Sequence, residues 1–168
     1  CRCQRAQCRQ HYEKPIGQTY VGEIPSQPKP TKFADCLTCD TKVLGQDDPC
    51  RRQFKVSHIV MDRFTGWLQG YAARARDTKP WFMSLSRFPG PQLKAEYVYS
   101  DGAGEIIQAV KEMNSLHDFS RPNRHETNSI AEHAVKRTEE GTSCALIQSG
   151  FYNDWWADAQ EWFCFSYC

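Results

Sequence analysis

Residues 95–114 read AEYVYSDGAGEIIQAVKEMN, and their interpretation decides the fold class. Tyr97, Val98 and Tyr99 suit a short buried strand, which runs into Ser100-Asp101 and then Gly102. From about residue 103 to 114 the spacing changes: Ile106, Ile107, Val110 and Met113 recur at helical intervals. A strand feeding a helix through a glycine-rich turn is an α/β connection and not a link in an all-β meander. The turn also carries Asp101 to the end of that strand. Asp-Gly is a common chain reversal, and this is one reading of it. The other is that Asp101 is one carboxylate of a metal site whose partners lie elsewhere.

Moving outward, residues 33–40 (FADCLTCD) predict a strand ending on Asp40, and the polar GQDDP segment that follows predicts a turn or insertion. Residues 54–62 (FKVSHIVMD) make the best strand, with Val56, Ile59 and Val60 as core candidates. The RFTG turn pairs that strand with 67–72 (WLQGYA) as a hairpin. A helix over 78–88 stops at Pro89-Gly90-Pro91, and 117–125 reads as irregular, broken by Pro122. From Thr127 to Thr142 the pattern is helical, with Ile130, Ala134 and Val135 as its apolar stripe and Gly141 as its stop. An aromatic helix closes the chain over 152–166. The expected fold class is mixed α/β, with helices on both faces of the sheet.

At 168 residues the chain suits one domain, expected over 32–168, with a small appendage: residues 1–14 are basic and cysteine-rich, and 15–31 form a proline-containing linker. It begins at Cys1 without a recognisable leader, as a fragment of a longer protein would. No run approaches about eighteen apolar residues, so no membrane partner is expected. A formal net charge of +1 gives no overall attraction to nucleic acid, although Arg121, Arg124, Lys136 and Arg137 form a local basic group. Nine cysteines at irregular spacing predict no disulfide framework and an intracellular, reduced chain. Cys36 and Cys39 form a CxxC, but residues three apart on a strand face opposite ways, which makes a shared metal unfavourable. Cys1, Cys3, Cys8 and His11 look like half of a zinc site. His125 and His133 read as surface groups.

Three carboxylates carry more weight. Asp40 and Asp101 each close a predicted strand, and Glu132 sits in a helix beside an apolar stripe. If they converge, they would hold two Mg²⁺ or Mn²⁺ ions ~4 Å apart, an arrangement that activates an attacking oxygen and stabilises a leaving one in phosphoryl transfer.

The ordered series TCD, HIVMDRFTGWLQGY, VYSDGAGEI and RPNRHETNSIAEHAVKR resembles the catalytic core of retroviral and retrotransposon integrases, and Glu132 follows Asp101 at that family's spacing (132 − 101 = 31). TNSIAEHAVKR is similar to the family's T-N-G-x-A-E-R-A-V-K/R-R, and EEGTSCALIQSGFYNDWWADAQEWFCF to the Trp-Trp region after it. CQRAQ, from Cys3, resembles part of the small zinc-binding module that precedes the core. The resemblance implies an RNase H-like fold with a five-stranded mixed sheet flanked by helices. It implies Asp40, Asp101 and Glu132 as catalytic metal ligands for Mg²⁺ or Mn²⁺, with Asp35 as rival to Asp40. Zn²⁺ would sit in an intact N-terminal module, of which Cys3 is a remnant. The implied activity is 3′-end processing and DNA strand transfer, in a nuclear homo-oligomer, with Asn128, Lys136 and Arg137 as DNA contacts. Gly102, Ser129 and His133 stand where the family usually has Asn, Gly and Arg. An inactive DNA-binding remnant and another RNase H-like nuclease are the alternative readings.

Overall fold

A computed structural model describes residues 29–44, 50–119 and 129–167. Strands β1 (Cys36–Val43), β2 (Val56–Asp62) and β3 (Leu68–Ala73) form an antiparallel meander. Helix α1 (Thr78–Arg87) leads to β4 (Tyr97–Ser100), and α2 (Gly104–Glu112) leads to β5 (Leu116–Phe119). Helix α3 (Ser129–Ser149), a 3-10 turn (Asn153–Trp155) and α4 (Trp156–Tyr167) complete the chain. The sheet has five strands in the order β3-β2-β1-β4-β5, with β4 parallel to both β1 and β5. This is the mixed sheet that the resemblance implied.

One face is mostly apolar. Leu37, Cys39, Val60 and Val98 point into a core closed by Trp81 and Leu85 of α1 and by Ile106, Ala109 and Val110 of α2. The buried polar group on this face is His58, whose ring stacks on Trp81 at 4.1 Å. The Ser84 hydroxyl gives its proton to the Pro80 carbonyl at 2.9 Å, so it accepts from His58 Nδ1 at 3.0 Å. Burial pushes His58 down to about 4, and the ring stays neutral. On the other face Ile59 and Leu68 meet Ala134 of α3 and Cys164 of α4, while Leu146, Trp156 and Ala157 form a second cluster.

The hairpin turn forms as its sequence predicts. Buried Asp62 accepts from the Thr65 amide (2.7 Å) and hydroxyl (2.6 Å), and from the Ala34 amide (3.0 Å) before β1. Gly66 takes the left-handed backbone the turn needs.

Four expectations need correction. Strand β1 occupies Cys36–Val43 and not 33–40, because its pairing with β2 continues to Val43↔Val56; Asp40 is therefore inside it. Residues 117–119, within the 117–125 expected to be irregular, belong to β5, a four-residue edge strand that β4 templates. Gly141 does not end α3: the Phe163 ring lies where its Cβ would be, and the helix runs on to Ser149, with left-handed Gly150 just beyond. Cys144 is disulfide-bonded while Cys36, Cys39 and Cys50 are free thiols, so the chain is not wholly reduced.

Cys36 and Cys39 are both buried, Cys39 inside the α1–α2 core, as a structural rather than a metal-binding pair would be. The supposed zinc remnant (1–14, with Cys3) lies outside the described residues, as does most of the linker. Among the described residues no helix is long and apolar enough to cross a membrane.

Candidate functional site

Strands β1 and β4 pair in parallel up to Thr38↔Tyr99. Asp40 and Asp101 each lie two residues further on (40 − 38 = 2, 101 − 99 = 2), at matching positions where the parallel pair ends. Asp40 faces α3, because it pairs across with Ile59, and Ile59 packs on Ala134. Lys42, two residues past Asp40, reaches the same helix through an ion pair with Glu139. Glu132 lies in the first turn of α3, exposed, between buried Ala131 and Ala134.

The electrostatics of Asp40 report the proximity of the three. Burial, and then the negative charges of Asp101 and Glu132, push its carboxyl up to about 6 from 3.8. The Thr41 amide, which donates to its Oδ1 at 2.7 Å, and the Arg76 charge oppose that rise. Arg76 is itself held by Glu105, with Nε to Oε1 at 3.1 Å. Asp101 Oδ1 accepts from the Ala103 amide at 3.4 Å as the chain turns into α2.

The donor set is all carboxylate oxygen, the kind a hard divalent cation takes. Asp101 and Glu132 are both near enough to act on the charge of Asp40. Yet among the described residues no three His, Cys, Asp or Glu side chains are gathered closely enough to hold a metal ion.

Asp35, the rival first ligand, has another task. Its Oδ2 accepts from the Thr31 amide (2.8 Å) and hydroxyl (2.7 Å) and the Lys32 amide (3.0 Å), closing the turn that precedes β1. The Thr31 bonds above all hold its carboxyl below the usual range. Lys136 lies exposed one turn beyond Glu132, 4.0 Å from Glu140. Arg137 projects elsewhere, its guanidinium 5.3 Å from the centre of the Tyr167 ring on α4. Asn128 lies outside the described residues.

Two neighbours of Asp101 escaped the sequence reading. The Ser100 hydroxyl, fully buried, donates to the Asp101 main-chain oxygen at 2.6 Å and lies 2.9 Å from His117 Nε2. Nothing in the local pattern marks His117, since only strand pairing brings β5 beside Ser100. Of the terminal aromatics, Trp156 is buried and Trp155 carries Arg51 at 3.8 Å over its ring, whereas Trp162 and Phe165 are exposed.

No known family and no curated protein matches the chain by sequence. Among solved structures it is similar to the catalytic core domain of BIV integrase, with a TM-score of 0.53 and 8% identity, over 76% of this chain and 80% of that one. At that identity the likeness concerns the fold: the chain has the five-stranded mixed sheet and flanking helices of the RNase H-like integrase core.

Proposed function

We infer that the chain is an integrase-type polynucleotidyl transferase core, acting on DNA ends and target DNA through Asp40, Asp101 and Glu132. The observation that carries this reading is that Asp40 and Asp101 each lie two residues past the last pair of the parallel strands β1 and β4, with Glu132 near enough to raise Asp40's proton affinity. A divalent cation bound there would activate an attacking 3′-hydroxyl or water and stabilise the leaving oxygen, without a protein nucleophile. The carboxylates would supply its ligands, and their mutual repulsion is the charge it would neutralise. Lys136 would meet the DNA backbone, where contacts position the duplex without reading sequence. Arg137 would join it only by leaving Tyr167.

A second reading is an inactive DNA-binding remnant, favoured by the absence of a gathered metal group among the described residues. Strand transfer with Mg²⁺ or Mn²⁺ separates the two. Glu132→Gln should abolish activity at unchanged melting temperature, and Asp35→Asn should lower the melting temperature and spare activity. Retained activity in Glu132→Gln, or equal loss at positions 35 and 40, overturns the assignment. An inactive parent that still binds DNA supports the remnant.

A further inference from the structure

Asp101 stands where β4 stops, so the sheet ladder no longer fixes its backbone. What holds it there is a side-chain relay from the neighbouring edge strand. Ser100 Oγ has one proton and two partners, the Asp101 carbonyl oxygen at 2.6 Å and His117 Nε2 at 2.9 Å. A carbonyl oxygen only accepts, so the hydroxyl proton goes to Asp101 and the hydroxyl accepts from His117. Nε2 must therefore carry hydrogen. Ser100 is fully buried, so no water competes for either bond. His117 is fixed in turn by the parallel register Val98↔His117.

We propose that His117 is a positioning residue for Asp101, acting through Ser100: its Nε2–H orients the Ser100 hydroxyl, which pins the Asp101 carbonyl and sets where the carboxylate points. The role rests on Asp101 being a metal ligand, and it concerns geometry only; His117 touches neither substrate nor metal. Groups that orient a ligand from behind commonly change metal affinity 10–100-fold when removed, and a grip on the backbone belongs at the low end of that range. The relay also gives β5 a purpose beyond extending the sheet. It explains why so short a strand, with Leu116 and Phe119 exposed, lies beside the catalytic end of β4.

The test is calorimetric titration with Mn²⁺ of the parent and of His117→Leu, His117→Gln and Asp101→Asn, each with its melting temperature. Gln places an amide donor close to where Nε2 stood, and Leu places none. Weakening of Mn²⁺ binding by about tenfold in His117→Leu, recovered in His117→Gln at the same melting temperature, is the expected result; a merely structural histidine would not separate the two. If Asp101→Asn loses Mn²⁺ while His117→Leu binds normally, the positioning role is wrong and the metal reading stands. If Asp101→Asn binds Mn²⁺ as the parent does, the metal reading fails and takes the relay with it.

Discussion

The two faces of the sheet treat buried polarity in opposite ways. Under α1 and α2, His58 is fully buried yet neutral, stacked on Trp81 and bonded to Ser84. Under the start of α3, Asp40 is a carboxyl raised to about 6 by burial and by two further carboxylates. The first face has dismissed its charge, and that is what a stable core requires. The second sets two further carboxylates within reach of Asp40, which costs stability unless a cation joins them. Such a conflict is what makes this face the candidate site.

The largest effect should come from the face under α1 and α2. Trp81 is the largest fully buried side chain, and Trp81→Ala removes both core volume and the stacking partner of His58. It should cost ~3–5 kcal/mol, a fall of roughly 10 °C in melting temperature at this chain length. Water reaching His58 would also return its proton affinity toward the usual value, so the variant should be less sensitive to acid than the parent. A fall of only ~1 °C by calorimetry would mean that this face is not the main core.

The unsatisfied edge predicts a gain. Asp40 binds its proton more tightly folded than unfolded, so its contribution to stability falls as pH climbs from about 4 to about 6 and stays unfavourable above. Asp40→Asn removes that penalty. At pH 7.5 it should stabilise the protein by about 1–2 kcal/mol, or about 4 °C, and at pH 4 it should change nothing. Mg²⁺ should raise the melting temperature of the parent and not of the variant. His58 works with the opposite sign: the unfolded chain takes up its proton between 6.5 and about 4, so stability is lost as pH falls through that window. In the parent the two slopes oppose each other. In Asp40→Asn the opposing slope is gone while those of His58 and of His117, also lowered by burial, remain, and acid loss below pH 6.5 should steepen. A variant less stable than the parent at pH 7.5 would show that Asp40 is a satisfied group after all.

The same contrast explains what could be read in the sequence. The hairpin of β2 and β3 announces itself by apolar residues and a turn whose Asp62 and Thr65 bond each other. Helix α1 ends where Pro89-Gly90-Pro91 requires, with Gly90 in left-handed backbone. Asp101 was legible because a strand and a helix meet at it. Other features depend on partners distant in sequence. Strand β5 has no alternation of its own, with Leu116 71% exposed, and exists because β4 offers a free parallel edge. Gly141 looks like a stop until Phe163 arrives from α4 to occupy its open side. The Ser100–His117 contact spans 17 residues and two strands, so no local pattern encodes it. Glu132 became a candidate through a motif, because an exposed helical glutamate carries no physical signal by itself.

The smallest effect on stability, and a direct test of the edge's chemistry, is Gly102→Asn. Gly102 is exposed and is not among the glycines with left-handed backbone, so a side chain brings no strain. Its Cβ would meet only Phe119 Cδ2 at 3.7 Å, an ordinary contact. Melting temperature should therefore stay within about 1–2 °C, as for a surface change of under ~0.5 kcal/mol. The added amide stands next to Asp101, where a phosphate would approach a metal held by the carboxylates. One new hydrogen bond of about 1 kcal/mol corresponds to roughly fivefold tighter DNA binding. Fluorescence anisotropy on an end-labelled duplex measures that gain. Unchanged binding at unchanged stability would put the DNA path away from this edge. A drop of several degrees would show instead that residue 102 needs glycine, and that the turn after Asp101 is built for the backbone alone.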